Sequence, residues 1–241
     1  MASQAEFKKI SSLKLNKFRQ KYGLFVVEGR KSVNELFHSN WDVHKIIATN
    51  RKLLDDPNSS LLDIVSESDY KKVSQFDTPA GILAITAIPK SLDLSVQKGL
   101  NLFLDGISDP GNLGTITRIA DWYGLDRIFM STDCVDFYNS KCISASMGSF
   151  LRVKPILVDL ENIVSDVVLV IGTLLDGESL YDFEIDKMQN NLLVIGSESH
   201  GIRSENMNLI QQKVTIPRLG KAESLNAGIA TAIMLDRLLN P

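Results

Sequence analysis

Apolar residues in this chain fall into short runs that alternate with segments of helical spacing. Residues 12–20 predict a basic helix that stops near Gly23. Leu24, Phe25, Val26 and Val27 form a strand-like run, and Glu28 with Gly29 turns it into a segment where Val33, Leu36 and Phe37 share a helix face. Strands are expected at 43–48, 61–65 and 82–85. Before the last of these, Ser66 with Asp69 three residues on has capping-box spacing and opens a short helix. Over 91–98 the text is polar and aperiodic, and it is the expected linker between a domain of residues 1–90 and one of 99–241.

A second series starts with a strand at 102–104, a polar loop at 105–114 and a helix carrying Ile116, Ile119, Ala120 and Tyr123. Strand 127–130, helix 140–147 and apolar residues 153–158 follow. Strands at 167–171 and 192–195, a helix near 205–211, a strand at 214–216 and a long helix at 225–239 complete the chain. Strands alternating with helices predict an α/β fold with a mostly parallel sheet covered on both faces. There is no internal repeat.

Composition narrows the function more than the fold. With 44% hydrophobic and 23% charged residues the chain has ample core, and its net charge of −3 excludes nucleic-acid binding by bulk electrostatics. Positive charge is nevertheless concentrated locally. Lys8, Lys9, Lys14, Lys17, Arg19, Lys21, Arg30 and Lys31 face only Glu6 and Glu28, either as a solvated helix face or as a nucleic-acid contact. Cys134 and Cys142 lack metal-ligand spacing and histidine company, so no metal site is expected, and two unpaired thiols suit a reducing compartment. No apolar run approaches membrane-spanning length, and the N-terminus has no apolar leader segment; a cytoplasmic, soluble protein is expected.

Three loops can carry chemistry. In Asp109-Pro110-Gly111-Asn112-Leu113-Gly114 the glycines permit a tight exit from a strand, and Arg118 one turn into the helix can meet a phosphate. An ordinary turn with a surface arginine reads equally well. Neither a dinucleotide fingerprint nor a P-loop is present. In Gly196-Ser197-Glu198-Ser199-His200-Gly201 a carboxylate follows an apolar strand directly, where it can hold a ligand hydroxyl or an arginine; His200 is a proton carrier or simply solvated. In Ile216-Pro217-Arg218-Leu219-Gly220-Lys221-Ala222-Glu223-Ser224-Leu225-Asn226, Ser224 is the expected N-cap of the last helix and Asn226 lies in its first turn. Ala227, Gly228, Ala230 and Ala232 make a small-residue face suited to close helix packing or to a dimer interface.

Taken in order, D-P-G-N-L-G-T-I-T-R, I-G-S-E-S-H-G and I-P-x-x-G-x-x-x-S-L-N resemble the three motifs of the SpoU (TrmH-like) branch of the SPOUT RNA methyltransferases. Residues from about 98 to 241 resemble the catalytic domain; residues 23–29 and 78–82 resemble the ribosomal-protein-like RNA-binding domain that precedes it. The resemblance implies an α/β knot, a homodimer, and transfer of methyl from S-adenosylmethionine to a ribose 2′-hydroxyl, with ribosomal RNA favoured over tRNA. A non-catalytic RNA-binding factor that keeps the fold, and an enzyme acting on an unrelated nucleotide, are the competing readings. It implies cofactor contacts from Gly172, Thr173, Leu174, Gly196, Ile216, Pro217, Leu225 and Asn226. A catalytic cluster of Asn112, Arg118, Glu198, Ser224 and Asn226 is implied with them. RNA contacts are expected from Lys8, Lys9, Lys14, Lys17, Arg19 and Arg30. With a pKa above about 12, Arg118 is a poor base, so it is expected to clamp the adjacent phosphate and orient the hydroxyl. Ser144 stands where many relatives carry arginine, and Arg218 where an apolar residue is common.

Overall fold

A computed structural model describes residues 4–89 and 94–240 of the chain. The first three residues of the expected 91–98 linker lie outside the described residues, and 94–98 lead irregularly into the next strand. The N-terminal elements are α1 (Gln4–Ser12), α2 (Asn16–Tyr22), β1 (Leu24–Glu28), α3 (Arg30–Phe37), β2 (Val43–Ala48), β3 (Leu62–Ile64), α4 (Glu67–Val73) and β4 (Ile82–Ala87). There follow β5 (Gly99–Asp105), α5 (Pro110–Trp122), β6 (Arg127–Met130), α6 (Ser140–Ala145), β7 (Lys154–Leu157) and β8 (Val168–Ser179). The last are β9 (Asn190–Gly196), α7 (Ser204–Met207), β10 (Gln212–Thr215) and α8 (Ala227–Leu239). Among the described residues no helix is long and apolar enough to cross a membrane.

The described residues form two compact units, one within Met1–Lys90 plus Asp136–Leu151, the other within Ser91–Val135 and Arg152–Pro241. Asp136–Leu151, which the sequence division gives to the C-terminal domain, therefore packs with the first unit. The reason is aromatic: Phe25 of β1 meets Tyr138 at 4.7 Å and Phe150 at 6.1 Å between ring centroids, and Trp41 meets Phe150 at 5.7 Å. Burying four large rings together removes far more apolar surface from water than the short α6 can bury alone.

The first unit holds a four-stranded sheet in the order β1-β4-β2-β3, in which β4 runs antiparallel to both neighbours and only β2 and β3 are parallel. This sheet is mixed, unlike the parallel sheet expected of the second series, since helical spacing between strands does not reveal that β4 inserts between β1 and β2. The buried carboxylate of Glu28 ends β1 and accepts from the Tyr70 hydroxyl (2.9 Å), the Ser74 hydroxyl (2.8 Å) and the Gln75 (2.7 Å) and Ala80 (3.2 Å) amides. Burial, reinforced by the Glu28 charge, keeps the Tyr70 phenol protonated far above its ordinary range.

The helix expected at 12–20 is two helices with a corner at 13–15. Arg19, only 3% exposed, holds that corner: its guanidinium donates to the Leu13 (2.7 Å) and Lys14 (2.9 Å) carbonyls and pairs with Asp136 at 2.5 Å. Arg19 is thus a structural residue rather than the RNA contact expected of it, because its charge is already neutralised inside the unit. Gly23, at φ 62°, ends α2 in the left-handed conformation and turns the chain into β1.

The second unit holds six parallel strands in the order β10-β8-β9-β5-β6-β7. Phe103, Phe129, Val170, Leu192 and Val194 lie in its buried apolar cluster, consistent with strands covered on both faces. The ladder between β8 and β10 jumps from Gly172–Lys213 to Glu178–Val214, so residues 173–177 bulge out of register. α7 is a single turn instead of the helix expected over 205–211. We expect Arg19→Ala to lower stability by about 3 kcal/mol, because it opens the α1–α2 corner and leaves the part-buried Asp136 without its guanidinium, read as a fall in melting temperature. An Arg19→Met/Asp136→Leu double variant should recover most of the loss, and a single variant melting with the wild type would contradict the structural role.

Candidate active site

Three loops at the carboxyl ends of the parallel strands of the second unit converge on one carboxylate. The loop after β5 delivers α5: Asp109 is its N-cap, accepting from the Asn112 amide at 2.8 Å, and Pro110 begins the first turn. This cap aims the Asn112 side chain outward from the helix start. The loop after β9 is pinched by paired backbone hydrogen bonds between Ser197 and Gly201 (3.1 and 2.9 Å), which put Glu198 at its tip. Gly196 has no room for a Cβ, which would strike the Gly201 backbone, so this hairpin closes only on glycine.

The third loop ends at α8, whose N-cap is Asn226. Its Oδ1 accepts from the Gly228 (3.0 Å) and Ile229 (3.3 Å) amides while its Nδ2 remains free to reach across. Ser224 was expected in that role; it is exposed, and the helix starts at Ala227, so the cap falls two residues later. Glu198 Oε1 accepts from Asn112 Nδ2 (2.8 Å), Asn226 Nδ2 (2.6 Å) and the Ala227 amide (3.0 Å). Asn226 Nδ2 also donates to Asn112 Oδ1 at 2.9 Å. One charged oxygen with three donors is a rigid tie between the loops.

Of the predicted catalytic set the fold brings together Asn112, Glu198 and Asn226. It does not bring in Ser224 or Arg118. Arg118 is exposed and makes no hydrogen bond or ion pair among the described residues. It lies six positions after Asn112 on α5, which sets the two side chains about 120° apart around the axis and about 9 Å along it. It leaves the helix beside Trp122, which is 83% exposed.

The predicted cofactor positions line the same strand ends. Gly172 and Gly196 stand in β8 and β9; Ile216 and the exposed Pro217 follow β10; Leu225 is exposed beside Asn226. Thr173 Oγ1 is buried without a hydrogen-bond partner, and Leu174 packs on the sheet core, both within the 173–177 bulge. At Gly177 an added Cβ would lie 2.6 Å from the Lys213 carbonyl carbon, so the bulge presses against β10. Arg218 Nη1 donates to the Ala222 carbonyl at 3.2 Å and closes its own loop. His200 Nδ1 lies 2.8 Å from the Ser199 hydroxyl at the exposed hairpin tip.

A pair with a buried carboxylate, which the sequence reading missed, holds this hairpin down. Asp105, the last residue of β5 and 0% exposed, accepts from the Arg203 amide (2.8 Å) and from Arg203 Nε (2.6 Å). Arg203 also meets Asp133 at 3.2 Å and Glu205 at 3.0 Å. The available signal was an aspartate ending an otherwise apolar strand, which burial permits only with a partner. Burial raises the thiol pKa of Cys134 and Cys142, which disfavours the thiolate form of both.

Residues 99–236 match the SpoU rRNA Methylase family model, and residues 4–84 match the MRM3-like substrate binding domain. The chain belongs to the SpoU rRNA methylase family. A Bacillus subtilis (strain 168) relative named 23S rRNA (guanosine(2553)-2'-O)-methyltransferase RlmP is 28% identical over 243 residues, covering 98% of this chain and 97% of that protein. A solved TrmH-family structure from Porphyromonas gingivalis is 34% identical, covers 98% of both chains and has a TM-score of 0.86. A solved AdoMet-bound rRNA methyltransferase from Sinorhizobium meliloti is 26% identical, covers 98% of this chain and 95% of that one, and has a TM-score of 0.83.

Removing the Asn226 cap should speed amide exchange at Gly228 and Ile229 by about fivefold, the effect of about 1 kcal/mol. Exchange unchanged in Asn226→Ala would show that α8 does not depend on this cap.

Proposed function

We propose that this protein is a cytoplasmic RNA (ribose-2′-O)-methyltransferase that uses S-adenosylmethionine and acts on structured ribosomal RNA. The Asn112–Glu198–Asn226 tie carries the reading, because it sets three family motifs around one point at the ends of parallel strands. The B. subtilis relative bears the name of a 23S rRNA 2'-O-methyltransferase, and the S. meliloti structure is described as AdoMet-bound.

The residues present suit the cofactor. Thr173 Oγ1 is a buried hydroxyl awaiting a polar partner, and Gly172 and Gly196 let Ile210 and the 197–201 hairpin pack tightly on the strand ends, which fixes the backbone there. Gly172, Thr173, Leu174, Gly196, Ile216, Pro217 and Leu225 hold the cofactor, largely through backbone, with Asn226 at its edge. When bound, S-adenosylmethionine supplies a methyl group activated by its sulfonium. Glu198 keeps the Asn112 and Asn226 amides fixed, so no reorganisation is needed when substrate arrives. Ser224 lies free at the rim to meet the RNA.

Arg118 acts from the other subunit of a homodimer. Its lack of a hydrogen-bond or ion-pair partner among the described residues supports this, as do the exposed Trp122 and Ile229 on the neighbouring helices α5 and α8. In the dimer its guanidinium clamps the phosphate next to the target ribose and orients the 2′-hydroxyl, whose proton leaves through that phosphate or another group. Lys8, Lys9, Lys14, Lys17 and Arg30, all exposed, meet the RNA backbone. The C-terminal segment forms the knot of the family, a reading supported by β10 at the sheet edge and by the packing of α8 on α5.

Arg118→Ala and Glu198→Ala should each abolish methyl transfer from tritiated cofactor to ribosomal RNA. Mixing the two variants through unfolding and refolding should restore about a quarter of wild-type activity, since half of random dimers contain one intact site of two. No recovery would place Arg118 in its own subunit's site. Arg118→Lys, which keeps the charge but loses the fork, should remain severely impaired, and near-normal turnover would rule out the forked contact.

A further inference from the structure

The exposed side of α2 carries something the methyl-transfer chemistry does not use. Phe18 and Tyr22 lie one turn apart, with ring centroids 6.2 Å apart and planes within 13° of parallel. Tyr22 is 36% exposed although an aromatic ring of its size gains from burial. Lysine ammonium groups crowd both rings: Lys9 at 4.8 Å and Lys21 at 5.5 Å from the Tyr22 centroid, and Lys17 at 5.1 Å from that of Phe18. Together with Lys8 and Lys14 they form no ion pair with a carboxylate among the described residues. The nearby Glu6 carboxylate is already engaged by Lys45 at 2.6 Å.

We propose that Phe18 and Tyr22 form a stacking step for an unpaired nucleotide of the RNA, a role that rests on the RNA-methylating reading above. An exposed cation–π contact is worth only about 0.5–1 kcal/mol, so the ammonium groups are readily exchanged from ring to phosphate. A base then takes the vacated ring face while the lysines hold the flanking phosphates. Positive charge alone would attract any polyanion. The paired rings add a requirement for a free base, which a continuous A-form duplex does not offer. The proposed occupant is a loop or bulge nucleotide, and the step selects RNA by unpaired structure rather than by sequence.

The test uses the full chain and fluorescence anisotropy with three labelled RNAs: a hairpin with an unpaired loop, the same hairpin with abasic loop nucleotides, and a fully paired duplex. The wild type should prefer the first by about tenfold or more. Tyr22→Leu should lose that preference and keep the salt dependence of binding, and Tyr22→Trp, which retains a stacking face, should keep the preference. Lys17→Gln/Lys21→Gln should instead lower the slope of log affinity against log salt by about two and keep the preference. Equal wild-type affinity for intact and abasic loops overturns the stacking step, as does unchanged hairpin preference in Tyr22→Leu; binding set by charge alone is then the answer. If methyl transfer to ribosomal RNA persists in that outcome, the stacking step falls and the enzyme reading stands. Absence of binding to all three RNAs together with absence of methyl transfer removes both.

Discussion

Glu198 Oε1 accepts hydrogen bonds from the Asn112 side chain, the Asn226 side chain and the Ala227 amide, and these donors come from opposite ends of the second unit's sequence. A carboxylate can do this because its oxygens only accept, and amide groups supply the complementary donors. The tie is made possible by two tight caps. Asp109 orients the start of α5 and Asn226 orients the start of α8, so each helix presents an amide at its first turn. The pair of buried Asp105 with Arg203 then anchors the hairpin that carries Glu198. Site geometry thus rests on helix ends and loop closures, while the sheet supplies a rigid frame.

That frame is parallel throughout, which directs all strand ends of one polarity to one side. β5, β8 and β9 end there together, and β10 joins at the edge after a register jump. The jump matters because a regular ladder would hold residues 173–177 flat, whereas the bulge leaves the Thr173 hydroxyl buried and unpaired. Buried polar groups without partners are rare, and such a group beside backbone-lined strand ends is suited to a ligand. The same economy applies to Arg118: an exposed guanidinium without a partner among the described residues is available to a second molecule, whether subunit or RNA.

The first unit separates its basic residues by function. Arg19 is spent inside, fixing the α1–α2 corner against Asp136, and the lysines of the same two helices remain outside beside Phe18 and Tyr22. Burial distinguishes the two groups where charge alone does not. Arginine suits the inner task, since its planar fork satisfies two carbonyls and a carboxylate at once. Lysine suits the outer one, where a flexible stem can follow a phosphate.

Much of the site was legible in the sequence. Asn112 and Glu198 each follow an apolar strand at a glycine-bearing turn, and Asn226 opens an apolar helix; such local patterns depend on neighbours a few residues away. The α/β alternation, the short strands and the chemistry implied by the three ordered motifs likewise belong to the sequence. Only the tertiary structure decided that Asn226 rather than Ser224 caps α8, that Arg118 stays outside the Asn112–Glu198–Asn226 tie, and that Arg19 is buried. It alone showed that β4 runs antiparallel and that 136–151 joins the first unit. These outcomes depend on contacts between residues 28 to 117 positions apart, such as Asn226 with Glu198 and Arg19 with Asp136. Periodicity along a chain carries no record of such distances, because burial and pairing are settled by which surfaces meet.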